Sequence, residues 1–211
     1  MVKQERAERT LRRIISAAAD RFEQNGYNGT SLDDITRAAG VSKGAFYFHF
    51  ASKKQVADAV TEHSHGLLED LIDTSLSLDN SALQQLIDLT HRLNRLLRTE
   101  PTVRTALRFH REWPDLEPDL DHYAMWYRAI EQLLDDAAKR RELRDDVPAG
   151  AAQALAMVTL FSVESLVLRR LTDEETTRRV TDLWNVLLAA FAHGEQTHTF
   201  RTDAPEPCEV G

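Results

Sequence analysis

The apolar residues of this chain recur every three or four positions over most of its length. In residues 8–24 they alternate in this way with arginines, which predicts an amphipathic first helix. Asn25-Gly26 then ends that helix, because glycine readily adopts the left-handed conformation. No segment shows the alternation that is typical of strands. The pattern predicts an all-α fold, with later helices near residues 52–76, 83–96, 103–109, 122–141, 149–170 and 174–193.

Two short helices around a glycine follow the first helix. Ser31 and Asp34 form a capping-box pattern, which predicts a helix that runs to about Ala39. Gly40 ends this helix, and a second short helix is predicted over Lys43–His49. Two short helices joined by a glycine turn predict a helix-turn-helix over residues 31–50, whose second helix enters the major groove of DNA.

The outer face of the second short helix carries hydrogen-bond donors and small side chains. Lys43 and Tyr47 are four residues apart and project in similar directions, where they suit phosphates and base edges. Gly44 and Ala45 are small enough for the helix backbone to approach DNA closely. The predicted outer face consists of Ser42, Lys43, Ala45, Tyr47 and His49. The same pattern also fits a glycine-broken helix pair that serves only for packing.

The charge of the chain is unevenly distributed. The net charge is −8, but residues 1–55 hold ten Lys and Arg against six Asp and Glu. A basic amino-terminal region on an acidic remainder is compatible with DNA binding, and it would orient the basic region toward the duplex. Hydrophobic residues make up 42% of the chain, which is ordinary for a soluble globular protein.

Several features predict a cytoplasmic protein. Cys208 is the single cysteine, so no internal disulfide can form, and the amino terminus has no apolar signal core. Residues 150–168 approach the length of a membrane span, but they contain Gln153 and Glu164 and stand alone. We expect them to form a helix buried among protein helices, with no membrane partner.

Catalytic and metal-binding patterns are missing from the sequence. The chain lacks a glycine-rich phosphate loop, a zinc-protease signature and a nucleophile elbow. We therefore expect no enzyme activity and no cofactor. We also expect no metal site, because no two histidines have the spacing of metal ligands with a third donor nearby. The histidines considered are those at 63, 65, 91, 110, 122, 193 and 198.

The run from Gly40 to Lys53, GVSKGAFYFHFASK, resembles the DNA-binding signature of the TetR family of repressors. The resemblance implies a three-helix DNA-binding head, an all-helical ligand-binding body and a homodimer on double-stranded operator DNA. We expect a helix-turn-helix domain over residues 1–51, a ligand-binding and dimerisation domain over 52–194 and a poorly ordered tail over 195–211. The resemblance also implies roles for the residues that match the signature by position. These are a helix cap at Ser31 and DNA contacts from Lys43, Gly44, Ala45, Tyr47, His49 and Lys53.

A narrower resemblance links the body to the actinobacterial γ-butyrolactone receptors. It rests on Pro101 to Phe109, on Leu183 to Leu188, and on Met125-Trp126-Tyr127-Arg128. The last of these implies that Trp126 lines the ligand cavity. The acidic loop before it and Ser162-Val163-Glu164 differ from the receptors' pattern. A related receptor for an antibiotic or another small signal therefore stays open.

Other side chains of the body have two interpretations. Thr159 and Ser162 either hydrogen-bond a lactone oxygen or bond their own backbone. The large apolar side chains that either line the same cavity or pack in an ordinary core are Leu89, Leu93, Phe109, Met157 and Phe161.

Together these features predict a repressor that leaves its operator when a small apolar signal enters the body. A two-fold dimer would place two recognition helices about 34 Å apart and would bind a pseudo-palindrome. The ligand can act only by binding the non-DNA conformation more tightly, and the helix from Ser52 joins body to head as the expected lever. The rival hypothesis is a small-molecule-binding or scaffolding protein that uses residues 31–50 only for packing.

Overall fold

The computed structural model describes residues 2–112, 122–169, 171–194 and 199–205. The all-α prediction is confirmed: within these ranges there is no strand, and one isolated bridge joins Leu143 to Ala192. The acidic loop with Pro114 and Pro118, and Cys208, lie outside the described residues. The helices are α1 (Val2–Asn25), α2 (Leu32–Ala39), α3 (Lys43–His49), α4 (Lys53–Leu76), α5 (Ala82–Thr99), α6 (Pro101–Glu112), α7 (His122–Lys139), α8 (Ala149–Leu168) and α9 (Asp173–Phe191).

The chain forms two compact units, and their limits differ from the predicted domains. The head unit comprises Met1–Leu68 and Thr99–His122, and the body unit comprises Glu69–Arg98 and Tyr123–Gly211. Beyond the boundary predicted at residue 51, the first turns of α4 bury Val56, Ala57 and Val60 in the core of the head. Helix α6, which the sequence assigns to the body, belongs to the head unit for the reasons given next.

Helix α6 is held on α1 by polar contacts and by an aromatic cluster. The Thr105 hydroxyl donates to the Ala19 carbonyl at 2.9 Å. The Arg104 guanidinium donates two hydrogen bonds to the Glu23 carboxylate, at 2.7 and 2.9 Å. Phe109 stands edge-on to Phe22, with ring centroids 5.3 Å apart. A two-pronged ion pair and a buried aromatic contact fix the helix in both position and rotation.

The body unit is tied together by long-range hydrogen bonds to α5. The wholly buried Trp184 of α9 donates its indole N–H to the Thr90 hydroxyl at 2.7 Å. The Glu142 carboxylate accepts from the backbone N–H groups of Ala82 and Leu83, at 3.2 and 2.8 Å. These amides begin α5 and have no partner within their own helix, so the distant glutamate satisfies them.

Part of the predicted tail is docked on the body unit. The Arg201 backbone N–H donates to the Gln84 side chain at 2.8 Å, and that side chain donates back to the Arg201 carbonyl at 3.0 Å. The Arg201 guanidinium lies 2.9 Å from the Asp88 carboxylate, and the His91 ring contacts the Thr202 carbonyl at 2.8 Å. Over residues 199–205 the expectation of poor order is corrected, because the tail supplies the cation that a buried carboxylate requires.

Candidate DNA-binding surface and ligand-binding residues

The turn between α2 and α3 is fixed by caps and by a left-handed glycine. Ser31 and Asp34 form the predicted capping box, with the Asp34 N–H donating to the Ser31 hydroxyl at 3.1 Å. Gly40 has a φ of 60° at the end of α2, a conformation that side chains with a Cβ rarely adopt. The Ser42 hydroxyl then accepts from the Ala45 N–H at 3.1 Å and starts α3.

The outer face of α3 presents a row of four exposed residues. Phe46 and Phe50 pack into the head's core, four residues apart on the inner side. Ala45 and His49, both predicted to contact DNA, are half-buried at the edges of the outer face. The exposed row consists of Lys43, Gly44, Tyr47 and Phe48.

Phe48 is the member of this row that sequence reasoning missed. Its side chain is 78% exposed, more than any other large hydrophobic residue described. A phenylalanine in an apolar run is ordinarily assigned to the core, and so the residue type gives no warning. The available signal is position, since Phe48 follows Gly44 by four residues and therefore shares its face.

Two of the predicted lysines have partners on the head itself. The Lys43 ammonium lies 2.7 Å from the Asp33 carboxylate, and this hydrogen bond raises the pKa of Lys43. Both side chains are exposed, so a phosphate can replace the carboxylate. The Lys53 ammonium donates to the carbonyls of Tyr27 and Thr30, at 2.8 and 3.0 Å, and lies over the Tyr27 ring. In the DNA-free molecule Lys53 thus joins α4 to the loop before α2.

Asp34 is held as an anion at the start of α2. Hydrogen bonds from the Ser31 hydroxyl and from the Ser31 backbone N–H lower the pKa of Asp34. The negative charge complements the partial positive charge of the helix amino terminus. Ser31, placed by resemblance at the cap, therefore orders the first helix of the motif.

The predicted ligand-lining residues divide between the two units. Phe109 lies in the head unit, where it packs against Phe22 and Tyr27. Its part in a ligand cavity stays a prediction. The side chains of Leu89, Leu93 and Trp126 are buried in the body unit. Met157 is half-buried there.

The polar candidates on α8 bond their own helix. The Thr159 hydroxyl donates to the Leu155 carbonyl and the Ser162 hydroxyl to the Val158 carbonyl, both at 2.8 Å. A lactone oxygen only accepts hydrogen bonds, so neither hydroxyl serves it in this conformation. Of the two interpretations, a bond to a lactone oxygen or a bond to the helix backbone, the structure contains the bond to the backbone.

Helix α8 exposes an apolar stripe. Its segment Gly150–Leu168 has the length and mean hydropathy, 1.7, of a membrane span, and 39% of that window is buried. The one charged residue of α8, Glu164, is only 9% exposed. Helix α8 packs against α9, and the exposed stripe, which we call the α8 stripe, consists of Leu155, Val158, Phe161 and Leu168. Val186 of α9 is exposed as well.

No group of three or more potential metal-ligating side chains occurs in the part of the chain that the structure describes.

Two family descriptions match the chain. Residues 14–60 match the family "Bacterial regulatory proteins, tetR family", and residues 80–192 match "Tetracyclin repressor-like, C-terminal domain". The second match alone covers more than half of the chain. The chain belongs to the tetR family. The first match contains α2, α3 and the start of α4, and so it coincides with the capped motif and its exposed row.

Relatives within the family resemble the chain over nearly its whole length. The A-factor receptor protein of Streptomyces griseus is 27% identical over 92% of this chain and 67% of that protein. A crystal structure of a gamma-butyrolactone receptor, described as ArpA-like, has 29% identity and a TM-score of 0.79, covering 92% of this chain and 93% of that one. CprB from Streptomyces coelicolor, solved with its biological operator sequence, has 30% identity and a TM-score of 0.74, covering 92% and 94%.

Proposed function

We propose that this chain is a cytoplasmic, non-enzymatic transcriptional repressor that binds a pseudo-palindromic operator as a homodimer and is released by a small apolar signal such as a γ-butyrolactone. The observation that carries the proposal is the exposed row on α3, where a lysine, a glycine and two aromatic residues share the outer face of a short helix that Ser42 caps. Support also comes from CprB, which was solved with its operator, and from the gamma-butyrolactone receptors among the similar structures.

In this proposal each residue of the exposed row has a different task. Lys43 exchanges Asp33 for a phosphate, and Gly44 admits the helix backbone close to the duplex. Tyr47 donates to a phosphate or to a base edge. Phe48 has no donor, and the one apolar group on a base edge in the major groove is the thymine methyl. Phe48 therefore favours an operator that has a thymine beneath this end of α3.

The α8 stripe supplies the dimer contact in the proposed assembly. A two-fold interface uses the same patch on both copies, so an apolar helix face can pack on itself. Leu155, Val158 and Phe161 follow one another at helical spacing along that face. Phe161, which sequence reasoning considered for the ligand cavity, is 43% exposed and contacts the Tyr123 ring, so we assign it to this contact.

Release requires that the body unit influence the head unit. The chain passes between the units within α4, at the last residue of α5 and at the first residue of α7. At the head end of these connections, α6 is fixed to α1 by the Arg104–Glu23 ion pair. A signal that binds around Trp126, Leu89 and Leu93 acts if it prefers a conformation in which α4 and α6 reposition the heads.

The proposal is tested by electrophoretic mobility shift with the duplex upstream of the chain's own gene. We expect Tyr47→Ala and Lys43→Ala to weaken binding about 5-fold or more, because each removes about 1 to 3 kcal/mol of contact. Arg128→Ala, an exposed position on α7, is the control and should bind like the wild type. A wild type that binds no DNA, or variants that bind as well as it does, would contradict the proposal.

The ligand arm uses release from the bound duplex by a γ-butyrolactone. The Trp126→Ala variant should still bind DNA, because Trp126 is buried in the body unit and α3 is in the head unit. The γ-butyrolactone should no longer release this variant from the duplex. Equal release from mutant and wild type would remove Trp126 from the ligand site while leaving the DNA-binding arm intact.

A further inference from the structure

A second basic surface lies on the head unit, outside the exposed row of α3. It is a concave region of about 600 Å³ between α1 and the end of α2. Its lining residues, which we call the α1 arginine surface, are Arg9, Arg12, Arg13, Ser16, Ala17, Asp20, Ala38 and Ala39. Three guanidinium groups thus face one carboxylate, and Arg6, one turn earlier on α1, is exposed as well.

Arg13 places this surface beside the turn of the helix-turn-helix. Its guanidinium donates to the carbonyls of Ala39 and Gly40, at 2.6 and 3.3 Å. A Cβ at Gly40 would lie 2.8 Å from the same guanidinium, so arginine and turn are in close contact. Gly40 precedes Lys43 by three residues, a span of at most about 11 Å. The α1 arginine surface therefore begins next to the amino end of the recognition helix.

Arg9 and Arg12 are available for a ligand. Both are exposed, and neither forms an ion pair or a side-chain hydrogen bond within the described residues. Arg9 precedes Arg12 by three residues, which is about 4.5 Å along the helix axis. Each strand of a duplex presents a phosphate about every 3.4 Å of axial rise, so this pair matches two neighbouring phosphates. The planar guanidinium fork suits phosphate oxygens better than an ammonium does.

We propose that the α1 arginine surface binds the sugar-phosphate backbone of the operator beside the groove that α3 enters. This inference rests on the proposed function, because it adds a contact to the same DNA complex. Phosphates are alike at every sequence, and so the surface contributes affinity and salt dependence but no sequence preference. Arg13 mainly holds the turn, whereas Arg9 and Arg12 meet the phosphates.

The test compares the double variant Arg9→Gln, Arg12→Gln with the wild type. Fluorescence anisotropy is measured over a range of KCl concentrations, on a duplex that the wild type selects from a random pool and on a scrambled duplex. Losing two phosphate contacts per subunit should reduce the slope of log K against log salt by about 3.6 for the dimer. Affinity should fall by the same factor on both duplexes, which leaves the ratio between them unchanged.

Two further variants separate charge from structure. Arg128→Gln, Arg141→Gln removes the same charge from exposed positions of the body unit and should keep the wild-type slope. Arg9→Lys, Arg12→Lys keeps the charge on α1 and should retain most of the slope. If the glutamine pair has the slope of the body control, or changes the ratio between the duplexes, the inference is overturned. If the wild type selects no duplex, the proposed function itself fails.

Discussion

Both compact units expose large apolar side chains on a helix, but the surroundings of those side chains differ. On α3, Tyr47 and Phe48 stand beside Lys43. On α8, Val158 and Phe161 stand in a stripe without a charged residue. An aromatic side chain next to a cation suits DNA, which presents both phosphates and thymine methyl groups. An uncharged apolar stripe suits a second apolar surface. The charge around an exposed apolar residue thus indicates its partner.

The two units also differ in how their distant segments are attached. In the head unit α6 is fastened to α1 by the Arg104–Glu23 ion pair and by aromatic packing. In the body unit the attachments of residues 199–205 to α5 and α9 include several hydrogen bonds and one ion pair. Polar attachments are sensitive to single substitutions and to pH, so we expect the docking of the tail to respond to both.

The largest effect is expected from a charge in the α8 stripe. Val158→Glu leaves the folded monomer intact, because this side chain is 57% exposed, but in a dimer it would bury an unpaired carboxylate. We expect the dimer to dissociate at least about 100-fold more readily, at a cost of about 3 kcal/mol or more. Sedimentation equilibrium measures the change, and operator binding should fall with it.

The control for this prediction is Gln132→Glu, which adds the same charge at an exposed position of α7. It should leave the dimer unchanged. A Val158→Glu variant that dimerises as the wild type does would show that the α8 stripe is not the dimer contact. The charge around the exposed residues of α3 and α8 would then not indicate their partners.

The next largest effect concerns the tail's ion pair. Arg201→Met leaves the Asp88 carboxylate, 3% exposed, without its cation. The arginine is half exposed, so we expect a moderate loss of about 2 kcal/mol in the free energy of unfolding. Chemical denaturation measures this loss. Arg128→Met, at an exposed position, is the matched control and should lose almost nothing.

A double variant decides whether the ion pair causes the loss. Asp88→Asn combined with Arg201→Met removes the buried charge together with its partner. Its loss should therefore be smaller than the sum of the two single losses. Additive losses would mean that Asp88 and Arg201 act independently, and that the tail is held by its other hydrogen bonds.

Local patterns predict much of this fold because they are set by local chemistry. Periodicity and caps place α3 at Lys43–His49 and the ends of α2 and α4 within a residue or two. The docking of α6 and of the tail depends on single pairings, Arg104 with Glu23 and Arg201 with Asp88, between residues more than 80 positions apart. The local sequence around these residues does not indicate which distant residue each one pairs with.

The candidate site shows the same division. Ser31 and Ser42 cap the helices as their positions predict, because capping involves residues only three apart. The exposure of Phe48 and the internal hydrogen bonds of Lys53 escape prediction, because both depend on the packed head. Residue type suggested the core for Phe48, and the packed head exposes it instead. The resemblance places Lys53 on DNA, which stays a prediction beside the bonds that Lys53 makes within the DNA-free head.

The smallest effect is a pH dependence of the tail's docking through His91. The Thr202 carbonyl only accepts, so the ring nitrogen Nε2 carries a proton and donates to it. The other nitrogen, Nδ1, is buried without a hydrogen-bond partner among the described residues. Burial lowers the pKa of His91 below its ordinary 6.5, against the opposing influence of the Thr202 hydrogen bond. The charges facing the ring are Asp88, Arg201 and Asp203.

Because the folded chain keeps His91 neutral below the pH at which the unfolded chain protonates it, acid favours unfolding. This contribution to stability is fully present above pH 6.5 and is lost as the pH falls below that value. His91→Gln keeps a donor for the Thr202 carbonyl but does not titrate. The free energy of unfolding should therefore fall more steeply between neutral pH and about pH 5.5 in the wild type than in this variant. Equal slopes would mean that the tail is insensitive to His91, and that its docking rests on the Arg201–Asp88 pair and on the hydrogen bonds between the Gln84 side chain and the Arg201 backbone.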